Sequence, residues 1–401
     1  MNSICILENP IQEYAWGSRT AIADLLGKSP SQTPQAELWM GAHSKSPSLV
    51  PYKGRKIPLT DLIDRYPVEI LGAYAATKFN GKLPYLFKVL AAAEPLSIQA
   101  HPNAAQAISG FDRENRMGIA LTAPERNYRD TNHKPECICA LTPFWALRGF
   151  RRMADMLFHL RRICPKTLGA DLALLDRTRN PAGLKRFFET LMTLNETKKQ
   201  RVISEAVFNA QPLGATAPCY QWIITLHRAY SSDIGILSPV MLNLVCLKPG
   251  EAMFLEAGEL HAYLEGLGME LMANSDNVLR GGLTPKHVNV PELLQVLNFE
   301  EREIDILSPK EIRPCERRYP CPAEEFALSV IILSGGADYK SESTRGVEIL
   351  FCTEGQAHMT NAGKNESLTV KRGMALLVPA AVFAYTLKGD ATLYKATVPT
   401  A

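Results

Sequence analysis

Lys248-Pro249-Gly250-Glu251-Ala252-Met253-Phe254-Leu255 and, near the C-terminus, Lys371-Arg372-Gly373-Met374-Ala375-Leu376-Leu377-Val378-Pro379-Ala380 are built alike. Each runs from a basic residue through a turn glycine into an apolar strand and then a small-residue turn. That order suits a strand pair in a small barrel or jelly roll. The first copy continues to His261, with polar residues following. The second offers Phe383 and Tyr385 at the matching region, so it has the scaffold without the imidazole. Gly346-Val347-Glu348-Ile349-Leu350-Phe351 and Ala391-Thr392-Leu393-Tyr394 add strands to the second barrel, which is expected over 311–401.

Working outward, Leu86 to Ile98 reads as apolar strands that end at Pro102 and Asn103, and strand character returns at Glu136 to Leu141. Between them, Asn103 to Asn132 is rich in Arg, Asn and Asp, as suits a long loop or short helices at a site's rim. From about Phe150 the period changes. Met153, Met156, Leu157 and Leu160 recur at helical spacing, as do Leu184, Phe187, Phe188 and Leu191, then Val202, Ala206 and Ala210. Pro239 to Leu247 returns to strand composition. The expected organisation is mainly β: a discontinuous jelly-roll catalytic domain over 1–149 and 236–310, a helical insertion over 150–235, and a degenerate barrel over 311–401.

A chain of 401 residues exceeds what one hydrophobic core usually serves, which fits several domains. A hydrophobic fraction of 46% and a charged fraction of 21% belong to an ordinary globular protein. A formal charge of +3 supplies no field for nucleic acid or an anionic membrane. The N-terminal stretch carries Glu8, Gln12 and Glu13 where a secretion signal needs an unbroken apolar run, and later apolar stretches are too short to span a bilayer. A cytoplasmic protein is expected. The nine cysteines lack regular spacing, and no second paired-cysteine knuckle accompanies Cys137 and Cys139, so buried reduced thiols are expected.

Gln99 and His101 stand two apart, which on a strand places both side chains on one face. Glu136 opens another strand, and His261 follows the barrel-type turn. An amide oxygen, a carboxylate and two neutral imidazoles make a donor set compatible with Zn²⁺ and, less selectively, Mn²⁺ or Fe²⁺; zinc suits chemistry without redox. The run from Glu270 to Lys286, dense in small and polar residues, reads as an ordered loop. In it Ser275, Asn277 and Thr284 are groups that hold sugar hydroxyls, and Arg280 and Lys286 are groups that hold phosphate or an enediolate.

Tyr128-Arg129-Asp130-Thr131-Asn132-His133-Lys134-Pro135-Glu136 resembles the Y-x-D-x-N-H-K-P-E signature of the type I mannose-6-phosphate isomerases, a cupin family. The run from His261-Ala262-Tyr263 through Glu270, Ser275-Asp276-Asn277 and Arg280 to Thr284-Pro285-Lys286 resembles that family's second signature. Gln99-Ala100-His101-Pro102, Tyr14-Ala15-Trp16-Gly17-Ser18 and Glu37-Leu38-Trp39-Met40-Gly41 look like family sequence too. Gly281 departs from the Ala usual after the arginine, a loss of a methyl that would loosen the loop.

The resemblance implies one zinc held by Gln99, His101, Glu136 and His261, with Arg280 as the active-site arginine and Ser97, Lys134, Tyr263, Glu270, Asp276 and Lys286 around the substrate. It implies interconversion of mannose 6-phosphate and fructose 6-phosphate through a cis-enediol(ate), with a small sugar phosphate as the partner, in the metabolism that leads to GDP-mannose; a monomer is expected. Arg280 would stabilise the enediolate, and Glu270 is the first candidate for proton transfer, ahead of Lys134, Asp276 or a metal-bound water. Lys286 and Ser97 would hold the phosphate. The rival readings are an isomerase of another sugar phosphate, a ferrous cupin oxygenase, and a sugar-binding cupin without turnover.

Overall fold

A computed structural model describes residues 2–364 and 366–399, so Met1 and Ala401, the ends of the expected first and last segments, lie outside the described residues. The fold is mainly β, with two jelly-roll barrels and a helical segment.

One strand, His261–Ala273, organises the first barrel. Its first half pairs with Phe144–Phe150 and meets Ile98–Ala100 at Gln99, while its second half lies between Tyr85–Ala92 and Glu136–Ala140. It serves both sheets by turning at Gly266, where φ is 136° and a Cβ would stand 2.7 Å from Phe144 Cδ2. Only glycine takes that conformation without strain. The eight residues Tyr85–Ala92 are all buried, as a strand covered on both faces must be.

The second barrel forms around Glu348–Asn361 and Tyr385–Thr397, joined by Ala327–Leu333 and Ala375–Val378. The N-terminal strand Cys5–Leu7 adds to this sheet by pairing with Ala375–Val378, a crossing of which the sequence gives no sign. Leu38, Phe87, Val89 and Leu271 share one continuous core with Phe326, Leu328, Ile349 and Tyr394 from the C-terminal sheet, so burial of apolar area fuses the two barrels.

The helical period holds through Met153–Ile163, Pro181–Met192 and Glu196–Ala210, and every residue named above for it is buried. Asn180 and Asn195 start two of these helices by accepting the backbone N–H of Gly183 and Lys198. The apolar faces pack on Leu147, Phe150 and Leu260 of the first barrel. The expected strand from Pro239 begins late: Ser238–Met241 is a short helix, in which proline's missing N–H costs nothing at the first turn, and the strand is Leu242–Leu247. The expected loop from Glu270 to Lys286 is also partly regular. Glu270 to Ala273 completes the long strand and Leu279–Gly282 is a strand of its own. Small residues there reflect close packing, since Gly281 and Gly282 are buried.

Among the described residues no helix is long and apolar enough to cross a membrane. All nine cysteines are free, and six are buried, Cys137 and Cys139 among them. Burial pushes the Cys139 thiol up to about 11, so it stays protonated and poorly suited to bind a metal.

Candidate metal centre and active site

Period-two alternation aims the site inward. Glu136 opens Glu136–Ala140 opposite Met272, and Glu270 stands opposite both Ile138 and Lys88, so these side chains share the interior face of the first barrel. Gln99 is the register partner of both His261 and Arg280 across its two neighbouring strands, which puts the three side chains on one face with Cβ atoms about 5 Å apart. His101 follows two residues later.

The ligand atoms of His101, Glu136 and His261 lie within 4.8 Å of one another, all buried. His101 Nε2 is 3.4 Å from Glu136 Oε1, and His261 Nε2 is 3.3 Å from Glu136 Oε2. His101 Nε2, His261 Nε2 and Glu136 Oε2 make no hydrogen bond. Three buried, unpartnered polar atoms aimed at one point would be costly if nothing joined them, and a divalent cation satisfies all three. Burial first, and then the Lys134 charge, lowers His101 to about 4. Burial opposes ionisation of Glu136, but Lys134 and His101 prevail and hold its carboxyl well below the usual range. A neutral imidazole at His101 beside an ionised Glu136 is what a metal requires.

The outer partners fix the rings. His101 Nδ1–H donates to the Asn277 carbonyl at 2.7 Å and His261 Nδ1–H to the Glu259 carbonyl at 2.9 Å, which leaves each Nε2 as the free lone pair. Glu259 is held in turn by Arg148 at 2.8 Å. Asn277 is where the two signature runs lock together. Its Oδ1 accepts from the N–H of Arg129 and Asp130, and its Nδ2 donates to the carbonyls of Asp130 and Asn132. Ser275 donates to Asp130 at 2.8 Å. The reading of Ser275 and Asn277 as holders of sugar hydroxyls is therefore corrected: their polar atoms are occupied in stitching the loops that aim His101. Thr284 likewise accepts from the Lys286 N–H.

Arg280 sits on a strand whose register with Ile98–Ala100 slips between Arg280 and Gly282, a bulge that re-aims its side chain. An alanine Cβ at Gly281 would stand 3.1 Å from Leu260 Cδ2 and 3.4 Å from Ile98 Cγ2, so the missing methyl reflects close packing here and the expected loosening of the loop is corrected. The charges acting on Arg280 and Lys286 are cations. Burial and Arg129 lower Arg280, and burial, Arg280 and Arg129 lower Lys286. A cluster of like charges of this kind is a receptor for a dianion. Lys286 is exposed and Ser97 is half-buried ahead of the Gln99 strand. Asp276 is ion-paired with Lys45 at 2.8 Å; burial opposes it, but His43 and Lys45 hold its carboxyl well below the usual range.

Lys134 Nζ is 2.9 Å from Glu136 Oε1. Glu270 lies inside the barrel, 2.8 Å from Lys88 Nζ through one oxygen and 3.0 Å from the Tyr263 hydroxyl through the other. Burial raises the Glu270 carboxyl despite Lys88. Lys88 also faces Glu37 at 3.7 Å, and Glu37 accepts from Trp39 Nε1 at 2.6 Å. Sequence reasoning gave no role to Lys88, Glu37 or Trp39. A signal was present, because a lone lysine in the otherwise apolar Leu86 to Leu90 must find a buried carboxylate. Lys88→Met leaves Glu270 and Glu37 buried without their cation, and chemical denaturation should show a loss of about 3–5 kcal/mol. An unchanged unfolding midpoint would show that the bridge contributes nothing.

The barrel and its buried two-histidine, one-carboxylate cluster define a mononuclear metal enzyme of the cupin class. The chain belongs to the type I phosphomannose isomerase family. A sequence model described as phosphomannose isomerase type I, catalytic domain, matches residues 4–153, and one described as mannose-6-phosphate isomerase, cupin domain, matches residues 316–398. The chain is 41% identical to the mannose-6-phosphate isomerase of Salmonella typhimurium over 93% of this chain and 94% of that one. It is 32% identical to the human mannose-6-phosphate isomerase over 92% of each. A crystal structure of a variant phosphomannose isomerase from Salmonella typhimurium superposes with a TM-score of 0.92 at 38% identity, covering 99% of this chain and all of that one. A zinc-bound mannose 6-phosphate isomerase superposes at 0.90 and 38%, with the same coverage.

Proposed function

We propose that the chain interconverts mannose 6-phosphate and fructose 6-phosphate with one Zn²⁺ held by Gln99, His101, Glu136 and His261. The single observation that carries this reading is the trio of buried, unpartnered ligand atoms beside an uncompensated cationic cluster. Family membership supports it, and the zinc-bound relative speaks for the metal.

When bound, the ion supplies Lewis-acid polarisation of substrate oxygens. The chain's own residues do the rest. Arg280, with Arg129 and Lys286 nearby, faces the negative charge that develops on oxygen as the C2 proton leaves, and a planar guanidinium meets an enediolate at two oxygens. Lys286 and Ser97 hold the phosphate at the rim, away from the ligand atoms. Glu270 remains our choice for proton transfer, since burial raises its basicity and the Tyr263 hydroxyl gives it a path toward the site. Asp276, held as an anion beside Lys45 and His43, is the weaker acceptor. Lys134 steadies Glu136. The division into a catalytic unit of 1–149 and 236–310, a helical unit and a C-terminal barrel goes with this reading, as do a cytoplasmic monomer and a supply of precursor for GDP-mannose.

A coupled assay run on mannose 6-phosphate and on fructose 6-phosphate, before and after chelation and with zinc added back, tests it. Activity in both directions that disappears with the metal and returns with zinc is the expected result. Activity that survives complete metal removal would reject the reading.

A further inference from the structure

Among the described residues the second barrel holds no cluster of metal ligands, yet its interior is not apolar throughout. Lys395, with a side chain 5% exposed, bridges Glu316 at 2.7 Å and Glu348 at 3.4 Å. Tyr339 donates to Glu316 and Tyr385 to Glu348. The first barrel contains the same arrangement in Lys88 between Glu270 and Glu37, with Tyr263 on Glu270. Around the second bridge the charges do not balance. Arg313 pairs with Glu316 and Glu342, Arg345 with Glu348, and Lys395 with both buried glutamates, so three carboxylates answer three cations. Arg318 is the fourth cation.

Arg318 stands beside Ser329, and Ser329 beside Lys395, as register partners across adjacent strands, so the three side chains share one face. Arg318 lines a cleft with Arg313, Arg345, Glu348, Lys395 and Thr397. The Nε atoms of Arg318 and Arg345 and the Ser329 hydroxyl are buried with no hydrogen-bond partner, and the Arg345 side chain is 4% exposed. The remaining Arg345 nitrogens are anchored on the carbonyls of Gly346, Val378, Pro379 and Val382, so that unpartnered N–H is rigidly held. Water could accept the orphan N–H groups but would leave the half-buried Arg318 without a counter-charge. A bound anion answers both needs.

We propose that the mouth of the C-terminal barrel binds one small inorganic oxyanion, of the sulfate or phosphate class, between Arg318 and Arg345. The site is separate from the metal centre and belongs to the C-terminal barrel. Binding there adds a charge-assisted contact that ties Glu316–Arg318 to the Arg345 loop.

The probe is selenate, which matches sulfate in shape and scatters anomalously. Crystals of the zinc-loaded enzyme soaked in selenate should show an anomalous peak within hydrogen-bond distance of Arg318 Nε and Arg345 Nε. In Arg318→Gln the peak should vanish, calorimetric titration with selenate should lose one site per chain or weaken it about tenfold, and isomerase activity should be unchanged. Arg318→Lys, which keeps the charge and loses the planar donors, should retain a weaker peak, and it carries the comparison if the glutamine variant does not fold. A wild-type soak with no peak in the cleft, or a peak undiminished in either variant, would overturn the proposal.

Discussion

Glu136→Gln is expected to yield a folded protein that retains little zinc and turns over at least about a thousandfold slower, because the metal's transition-state stabilisation, several kcal/mol, goes with it. The substitution keeps the shape of the side chain and removes one charge from the only carboxylate in the cluster. Both glutamate oxygens face imidazole Nε2 atoms at 3.3–3.4 Å, and a glutamine's amide nitrogen has no lone pair for a cation and would donate to one of those Nε2 atoms instead. Lys134, 2.9 Å from the lost carboxylate, is then left unpaired next to the site and repels the ion further. Metal analysis of purified protein, isomerase rates and circular dichroism separate loss of metal from loss of fold. A glutamine variant with full zinc occupancy and a rate within a few-fold of the parent would remove Glu136 from the centre.

Arg280→Lys is expected to lower kcat by about 10²–10³ with a smaller change in KM, the cost of removing a donor that faces developing charge. Arg280 is aimed by the bulge before Gly282 and sits where Arg129 and Lys286 already supply positive charge. A lysine there preserves the field and loses the planar pair of N–H groups, so the experiment isolates geometry from charge. Steady-state kinetics in both directions and the metal content of the variant are the measurements. A kcat close to the parent value, with zinc retained, would show that charge alone suffices and that the guanidinium is not oriented on the enediolate.

Much of the scaffold was legible locally. The helical block announced itself because apolar residues recur at 3.6 spacing whatever surrounds them, as Met153, Met156, Leu157 and Leu160 do. The Gly266 turn and the Ser238–Met241 helix were not legible, since short segments take the conformation that their neighbours allow. The bulge at Arg280 was hidden for the same reason: a one-residue slip in register leaves no mark on composition.

By itself, the sequence determined which chemistry was available: two imidazoles, a carboxylate and an amide on strands, an arginine among glycines, and a fold of two related barrels around a helical segment. Tertiary structure alone decided which of those groups are free to react. Ser275 and Asn277 turned inward to hold the loop that orients His101, Glu270 went to Lys88 in the barrel, and the Arg318 Nε was left without a hydrogen-bond partner among the described residues. The physical reason is that residue type fixes what a side chain can donate, accept or titrate. Only the partners brought to it by strand pairing and burial fix whether that capacity is already used.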